Sequence, residues 1–185
     1  MASKAVLITG GARSGKSNFA QEIAVKSGKR VLFVATAQAG DEEMRRRISI
    51  HRKNRPARWR TLEAPVDVGK QILNGIDDSE IVLLDDITLL LNNIVGDFLN
   101  ADGTDLDEEK AERAVNREID NLIRCVRSTT AEFIIVTNEV GLGLVPDNRL
   151  GRVYRDLLGK ANQTLAKAVD EVYFMVAGLP LRVKL

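Results

Sequence analysis

The run Gly10-Gly11-Ala12-Arg13-Ser14-Gly15-Lys16-Ser17 fits G-x-x-x-x-G-K-[ST], the pattern of a phosphate-binding loop. Each fixed residue has a physical duty. The glycines let successive backbone N–H groups turn inward onto phosphate oxygens, the Lys16 ammonium reaches the outer phosphates, and the Ser17 hydroxyl can ligate Mg²⁺. Lys4 to Thr9 before the loop reads as a buried strand, and Ser17 to Lys26 after it as the helix whose N-terminus faces an anion. Strand, loop and helix in that order predict a nucleoside triphosphate site, whereas a glycine-rich turn before an ordinary helix needs none of these fixed positions.

A phosphate loop works with a carboxylate that helps hold the metal. The apolar run Ile81-Val82-Leu83-Leu84 delivers Asp85 and Asp86 to a strand end. Asp85, the first residue after the run, is the candidate for the metal or phosphate site. The alternative is that acidic residues end the strand and cap the next helix, a role that suits Asp86 before Ile87.

Between Arg45 and Arg60 stand Arg45, Arg46, Arg47, Arg52, Lys53, Arg55, Arg58 and Arg60. Such a run is commonly a solvated helix face. A nucleic-acid surface fits poorly, with Trp59 the only nearby stacking partner and no basic excess in the chain as a whole. Beside a triphosphate loop, some of these cations can pair with phosphates. His51, the only histidine, sits among them. Two readings are open: an exposed residue on a charged helix, or a nucleophile whose neutral ring nitrogen attacks the α-phosphate of a nucleotide. An ordinary pKa of about 6.5 keeps most of such a ring neutral at pH 7.

The remaining pattern supplies the frame for these groups. Arg30 to Ala35, Trp59 to Glu63, Ile81 to Leu84, Phe133 to Thr137, Val172 to Ala177 and Leu181 to Leu185 read as further strands, the last two around a Gly178–Pro180 turn. Asp41 to Lys53, Val66 to Leu73, Ile87 to Leu99, Leu106 to Arg127 and Arg149 to Val169 read as helices, with Asn100 to Asp107 an acidic loop. Short apolar strands alternating with amphipathic helices predict an α/β fold of the P-loop NTPase type, a mostly parallel sheet with helices on both faces. Ligands of such sheets collect beyond the strand C-terminal ends. The loop, Ala35-Thr36-Ala37, Asp85 and Asn138-Glu139 all fall there. Gly141 and Gly143 suggest a loop that borders the substrate or simply joins strand to helix, and neither Asn138 nor Glu139 is assigned a catalytic role.

With 185 residues, the chain suits a single domain over residues 1–185. Lys+Arg 27 against Asp+Glu 26 is nearly balanced, which argues against nucleic acid or a membrane surface as partner. No run reaches the ~20 apolar residues of a membrane span, and Met1 to Lys4 lacks a signal-peptide layout. A lone cysteine, Cys125, excludes an internal disulfide and reads as a small core residue. A reducing cytoplasm fits these features.

Several blocks together resemble one family. They are Thr9 to Ser17; Ala35-Thr36-Ala37; Asp41-Glu42-Glu43-Met44 leading to Arg47, Ile48 and His51; Arg55 to Glu63; Leu84-Asp85-Asp86-Ile87-Thr88; and Thr137 to Arg149. In this order they are similar to the bifunctional adenosylcobinamide kinase/adenosylcobinamide-phosphate guanylyltransferases of cobalamin assembly. That resemblance implies phosphorylation of adenosylcobinamide by ATP or GTP. It then implies transfer of GMP from GTP, through a guanylylated histidine at His51, to adenosylcobinamide phosphate. It implies nucleotide contacts at Gly10 to Ser17, at Ala35, Thr36 and Ala37, at Arg52, Lys53, Asn54 and Arg55, and at Glu63 and Asp85. It also implies a homotrimer. Members often carry Glu where this chain has Asp85. Two other classes share the phosphate loop: a single-activity small-molecule kinase with a non-catalytic His51, and a nucleotide-dependent ATPase or switch acting on a protein.

Overall fold

The computed structural model describes residues 4–38, 40, 42, 45–46, 55–103 and 105–184. Strands β1 (Ala5–Gly10), β2 (Val31–Ala35), β3 (Arg60–Glu63), β4 (Ile81–Asp85), β5 (Glu132–Val136), β6 (Glu171–Val176) and β7 (Leu179–Lys184) form one sheet in the order β3-β2-β4-β5-β1-β6-β7. All pairings are parallel except β6 with β7. Helices fully within the described residues are α1 (Lys16–Lys26), α2 (Val68–Gly75), α3 (Ile87–Gly96), α4 (Glu108–Ser128) and α5 (Arg149–Ala168).

Alternation along each strand divides the core in two. Val6, Ile8, Phe33, Leu83, Ile134 and Val136 turn to one face and bury Ala20 and Ala24 of α1. Leu7, Leu32, Val34, Val82, Leu84 and Ile135 turn to the other, beneath α2 to α5. Strands buried on both sides have to read as near-continuous apolar runs, which is why β1, β2, β4 and β5 are legible in the sequence. Helix α4 buries Ala111, Val115, Ile119, Leu122, Cys125 and Val126 in the spacing expected of one helical stripe.

Some boundaries shift for identifiable reasons. The last hairpin turns at Ala177 and Gly178, with φ of 49° and 85°. Two central residues with positive φ make the tight connection that matches strand twist. Pro180 therefore lies in β7, paired with Met175, and not in the turn. Helix α3 stops at Gly96, and Leu99 instead forms an isolated antiparallel bridge with Leu106. Helix α4 accordingly starts at Glu108, capped by Asp107, whose side chain accepts from Lys110 N at 3.2 Å. Trp59 precedes β3 and stacks its ring on Phe33, centroids 6.4 Å apart. The helix expected over Asp41 to Lys53 lies largely outside the described residues; Glu42, Arg45 and Arg46 within it are helical. No described helix is long and apolar enough to cross a membrane.

Candidate active site

Register brings the chemistry to one edge. Ala35 stands opposite Glu63 on β3 and Asp85 on β4, Asp85 stands opposite Val136, and Val136 opposite Ile8. The residues that follow these positions, Thr36, Asp86, Thr137 and the phosphate loop itself, therefore leave the sheet side by side at its C-terminal edge.

The loop is held by close backbone approaches. A Cβ on Gly10 would lie 2.7 Å from Met175 O, and Gly15 has a φ of 95°. Gly178 N of the last hairpin donates to Ser14 O at 3.0 Å, so the β6–β7 turn braces the loop from outside. Ala12 and Arg13 are exposed, and Ser14 is buried with no hydrogen bond to its Oγ. Lys16 is 7% exposed, and its Nζ donates to Gly11 O at 2.6 Å across the loop. Burial pushes the Lys16 pKa down, while the nearby carboxylates of Asp86 and Asp85 hold it up. The ammonium is thus a desolvated cation at the mouth of an N–H cradle, where an anionic ligand gains most from it.

Ser17 Oγ donates to Asp85 Oδ1 at 3.4 Å. A hydroxyl and a carboxylate oxygen converging in this way are the hard donors that Mg²⁺ selects. Burial drives the Asp85 carboxyl above the usual carboxylate range, opposed by the Ser17 hydrogen bond and by the charges of Arg55 and Lys16. Asp86 is pushed up to about 6, first by burial and then by the charge of Asp85. Asp86 does cap the next helix: its Oδ1 accepts from Leu89 N at 2.8 Å. It is also tied into the site, because Asn138 Nδ2 donates to its Oδ2 at 3.2 Å.

Thr36 is fully buried; its Oγ1 donates to Asp86 O at 2.7 Å and accepts from Asp86 N at 3.0 Å, clamping β2 to β4. Asn93 Nδ2 secures Thr36 O at 2.8 Å. Asn138 Nδ2 also donates to Thr88 Oγ1 at 2.8 Å, Tyr154 OH to Thr88 O at 2.7 Å, and Asn162 Nδ2 to Asn138 O at 3.0 Å. Sequence reasoning missed this scaffold of Asn93, Thr88, Tyr154 and Asn162. Its members come in two pairs, Thr88 and Asn93 on α3 and Tyr154 and Asn162 on α5, and nothing local in the sequence ties one pair to the other.

Of the other expected contacts, Ala35 and Ala37 flank Thr36 at the edge, and Glu63 is exposed at the end of β3. The Arg55 guanidinium lies over the Phe33 ring, Cζ 3.6 Å from its centroid, and its charge reaches Asp85. The structure thus assembles Gly10 to Ser17, Ala35 to Ala37, Arg55, Glu63 and Asp85 along one edge. His51, Arg52, Lys53 and Asn54 lie outside the described residues.

A family model described as cobinamide kinase / cobinamide phosphate guanyltransferase matches residues 6–183. The chain is 41% identical over 180 residues to the bifunctional adenosylcobalamin biosynthesis protein CobU of Escherichia coli, covering 97% of this chain and 99% of that protein. It is 42% identical over 178 residues to the bifunctional adenosylcobalamin biosynthesis protein CobP of Pseudomonas aeruginosa, covering 96% of each. Among solved structures, the RadB recombinase aligns at a TM-score of 0.48 and 14% identity, over 92% of this chain and 73% of that one. The family match runs from the first strand through the last, taking in the phosphate loop and every edge residue described above, and the chain belongs to the cobinamide kinase / cobinamide phosphate guanyltransferase family.

Proposed function

We propose that one nucleotide-binding domain performs two phosphorus reactions in turn at this edge, through a guanylylated His51. The chain is an enzyme of cobalamin biosynthesis, a cobinamide kinase and cobinamide-phosphate guanylyltransferase. In the first reaction the hydroxyl oxygen of the aminopropanol arm of adenosylcobinamide attacks the γ-phosphorus of ATP or GTP. The bond from that phosphorus to the β,γ-bridging oxygen breaks, the nucleoside diphosphate leaves, and the hydroxyl proton passes to solvent. In the second reaction a neutral ring nitrogen of His51 attacks the α-phosphorus of GTP, and pyrophosphate leaves. A phosphate oxygen of adenosylcobinamide phosphate then attacks the same phosphorus, the P–N bond breaks, and adenosylcobinamide-GDP forms.

Gly10 to Ser17 cradle the phosphates, and Lys16 stabilises charge that develops on the transferred group. Ala35, Thr36, Ala37, Arg52, Lys53, Asn54, Arg55 and Glu63 complete the nucleotide site. Ser17 and Asp85 would hold Mg²⁺, which supplies neutralisation of phosphate charge when bound. The protein acts in the cytoplasm as a homotrimer on small molecules. The observation that carries the reading is the buried Lys16 beside the paired Ser17 and Asp85, in a chain matched by a family whose description names both activities.

Incubation with GTP labelled at the α-phosphorus tests the covalent step. Acid-labile, alkali-stable label is expected on the protein, absent from a His51→Ala variant that still phosphorylates adenosylcobinamide. Equal loss of both activities in that variant, or label retained without His51, sinks the two-step account.

A further inference from the structure

The described arginines of the cationic run have different surroundings. Arg45, Arg46 and Arg58 are exposed. Arg60 pairs with Asp77 at 2.8 Å and donates to Gly75 O at 3.2 Å, away from the sheet edge. Arg55 turns inward instead. It is half-buried, and its Cζ lies 3.6 Å from the centroid of the Phe33 ring.

Register explains what that placement brings together. Phe33 and Ala35 point to the same face of β2, opposite Leu83 and Asp85 of β4. This is the face covered by α1, from which Ser17 reaches Asp85. A guanidinium laid over Phe33 therefore stands one same-face position, roughly 7 Å along the strand, from the level of the Asp85 carboxylate. Its charge is felt there. The Phe33 ring is itself 1% exposed, and Trp59, 7% exposed, stacks on it with centroids 6.4 Å apart and planes 21° from parallel. Trp59 N donates to Pro56 O at 3.0 Å, closing a tight turn. Arg55 and Trp59 thus approach one phenyl ring from the two ends of a single turn. Trp59 Nε1 is buried with no hydrogen-bond partner among the described residues, so the indole contributes its face and not its N–H.

We propose that Phe33 and Trp59 are positioning residues of the nucleotide site, an aromatic platform that holds the Arg55 guanidinium beside Asp85 to meet the phosphates of a bound nucleoside triphosphate. The proposal rests on the reading that the nucleotide occupies this edge. Stacking engages the face of a guanidinium, while its donors radiate in the plane, so one group can rest on a ring and meet phosphate oxygens edge-on. An arginine in water loses rotamer freedom when it orders on a ligand; the platform moves that loss from binding to folding. The strand order sets the rest of the geometry. Arg55 lies over β2 and Lys16 follows β1, so the two cations flank Asp85 on β4. Lysine cannot replace Arg55 in this arrangement, because an ammonium has no planar face to stack.

Equilibrium dialysis of GTP with Mg²⁺ against the full chain tests the platform, with a urea midpoint for each protein. The variants are Phe33→Leu, Trp59→Leu, Trp59→Phe and Arg55→Ala, and Phe33→Leu and Trp59→Leu each combined with Arg55→Ala. Phe133→Leu, which removes a fully buried phenyl from the opposite face of the sheet, is the packing control. Phe33→Leu is expected to raise the Kd about two- to thirtyfold, the span of a cation–π contact expressed as an affinity. Trp59→Leu is expected to act in the same direction, whereas Trp59→Phe, which keeps a stacked ring, and Phe133→Leu should match wild type. Once Arg55 is alanine, neither leucine substitution should change the Kd further, although both still lower the urea midpoint. Unchanged Kd values in Phe33→Leu and Trp59→Leu overturn the platform, as does an effect that persists in full without Arg55, or an equal loss in Phe133→Leu. Full affinity in Arg55→Ala also overturns it, and leaves the phosphate loop as the nucleotide site. Wild-type protein that binds no GTP removes the nucleotide reading itself, and the platform with it.

Discussion

At the scale of single residues, two half-buried carboxylates and one buried ammonium share the sheet edge, and their mutual charges govern what the site can hold. Burial pushes the Lys16 pKa down, and the charges of Asp86 and Asp85 oppose that shift without reversing it. Replacing Lys16 by Ala removes the cation that meets the triphosphate, and phosphoryl transfer is expected to fall about 100- to 1000-fold. Initial rates at saturating ATP check this.

Asp86 gives a pH signature. Its carboxyl moves from 3.8 up to about 6 on folding. Between those values the folded chain holds more protons than the unfolded chain, so stability falls as pH rises through this window. Urea midpoints measured from pH 3.5 to 7 on protein without nucleotide or divalent metal should therefore decline for wild type. An Asp86→Asn variant, whose side-chain oxygen can still cap Leu89 N, should show a flatter profile. An unchanged slope would falsify the assignment of this proton to Asp86.

At the scale of elements, α2 shows how one helix can be capped by another. Its own Ncap residue, Asp67, has a φ of 51° and makes no side-chain cap. Glu118, buried on α4, instead accepts from Asp67 N at 3.2 Å and Val68 N at 2.7 Å. One turn of α2 also lies directly on the α4 backbone: a Cβ on Gly69 would meet Asn121 O at 2.7 Å. Glu118→Ala removes the acceptor of both N–H groups and leaves that of buried Val68 unpaired, and is expected to cost about 1–3 kcal/mol. Gly69→Ala should also destabilise, by about 1–3 kcal/mol of overpacking, although alanine is the better helix former. Chemical denaturation measures both, and a stabilised Gly69→Ala protein would mean that α2 is free to move off α4.

At the scale of the whole molecule, the strand order places β1 between β5 and β6, so that the phosphate loop rises in the middle of the edge with a distinct flank on each side. The same layering hides the only thiol. Cys125 is buried within α4, and burial pushes its pKa up to about 11. The folded protein is expected to leave Ellman's reagent unreacted over an hour at pH 8, with one equivalent released in denaturant. Rapid reaction in the native state would mean that α4 opens from the sheet.

The amino-acid sequence by itself determined the features carried by neighbouring residues. The phosphate loop needs consecutive positions, β1, β2, β4 and β5 declare themselves as apolar runs, and the α4 stripe follows from the helical repeat. The Asp85–Asp86 pair was readable in the same way, as was the capping role of Asp86. The family could be identified from the order of its blocks. Only the tertiary structure decided which distant groups meet: Asn138 with Asp86 and Thr88, Thr36 with Asp86, Glu118 with the start of α2, Gly178 with Ser14, and Arg55 with Phe33. The reason is physical. Periodicity records which face of an element is buried, so it is written locally. Strand order and register come from the summed packing of every element, and they alone bring side chains some fifty residues apart within hydrogen-bond distance.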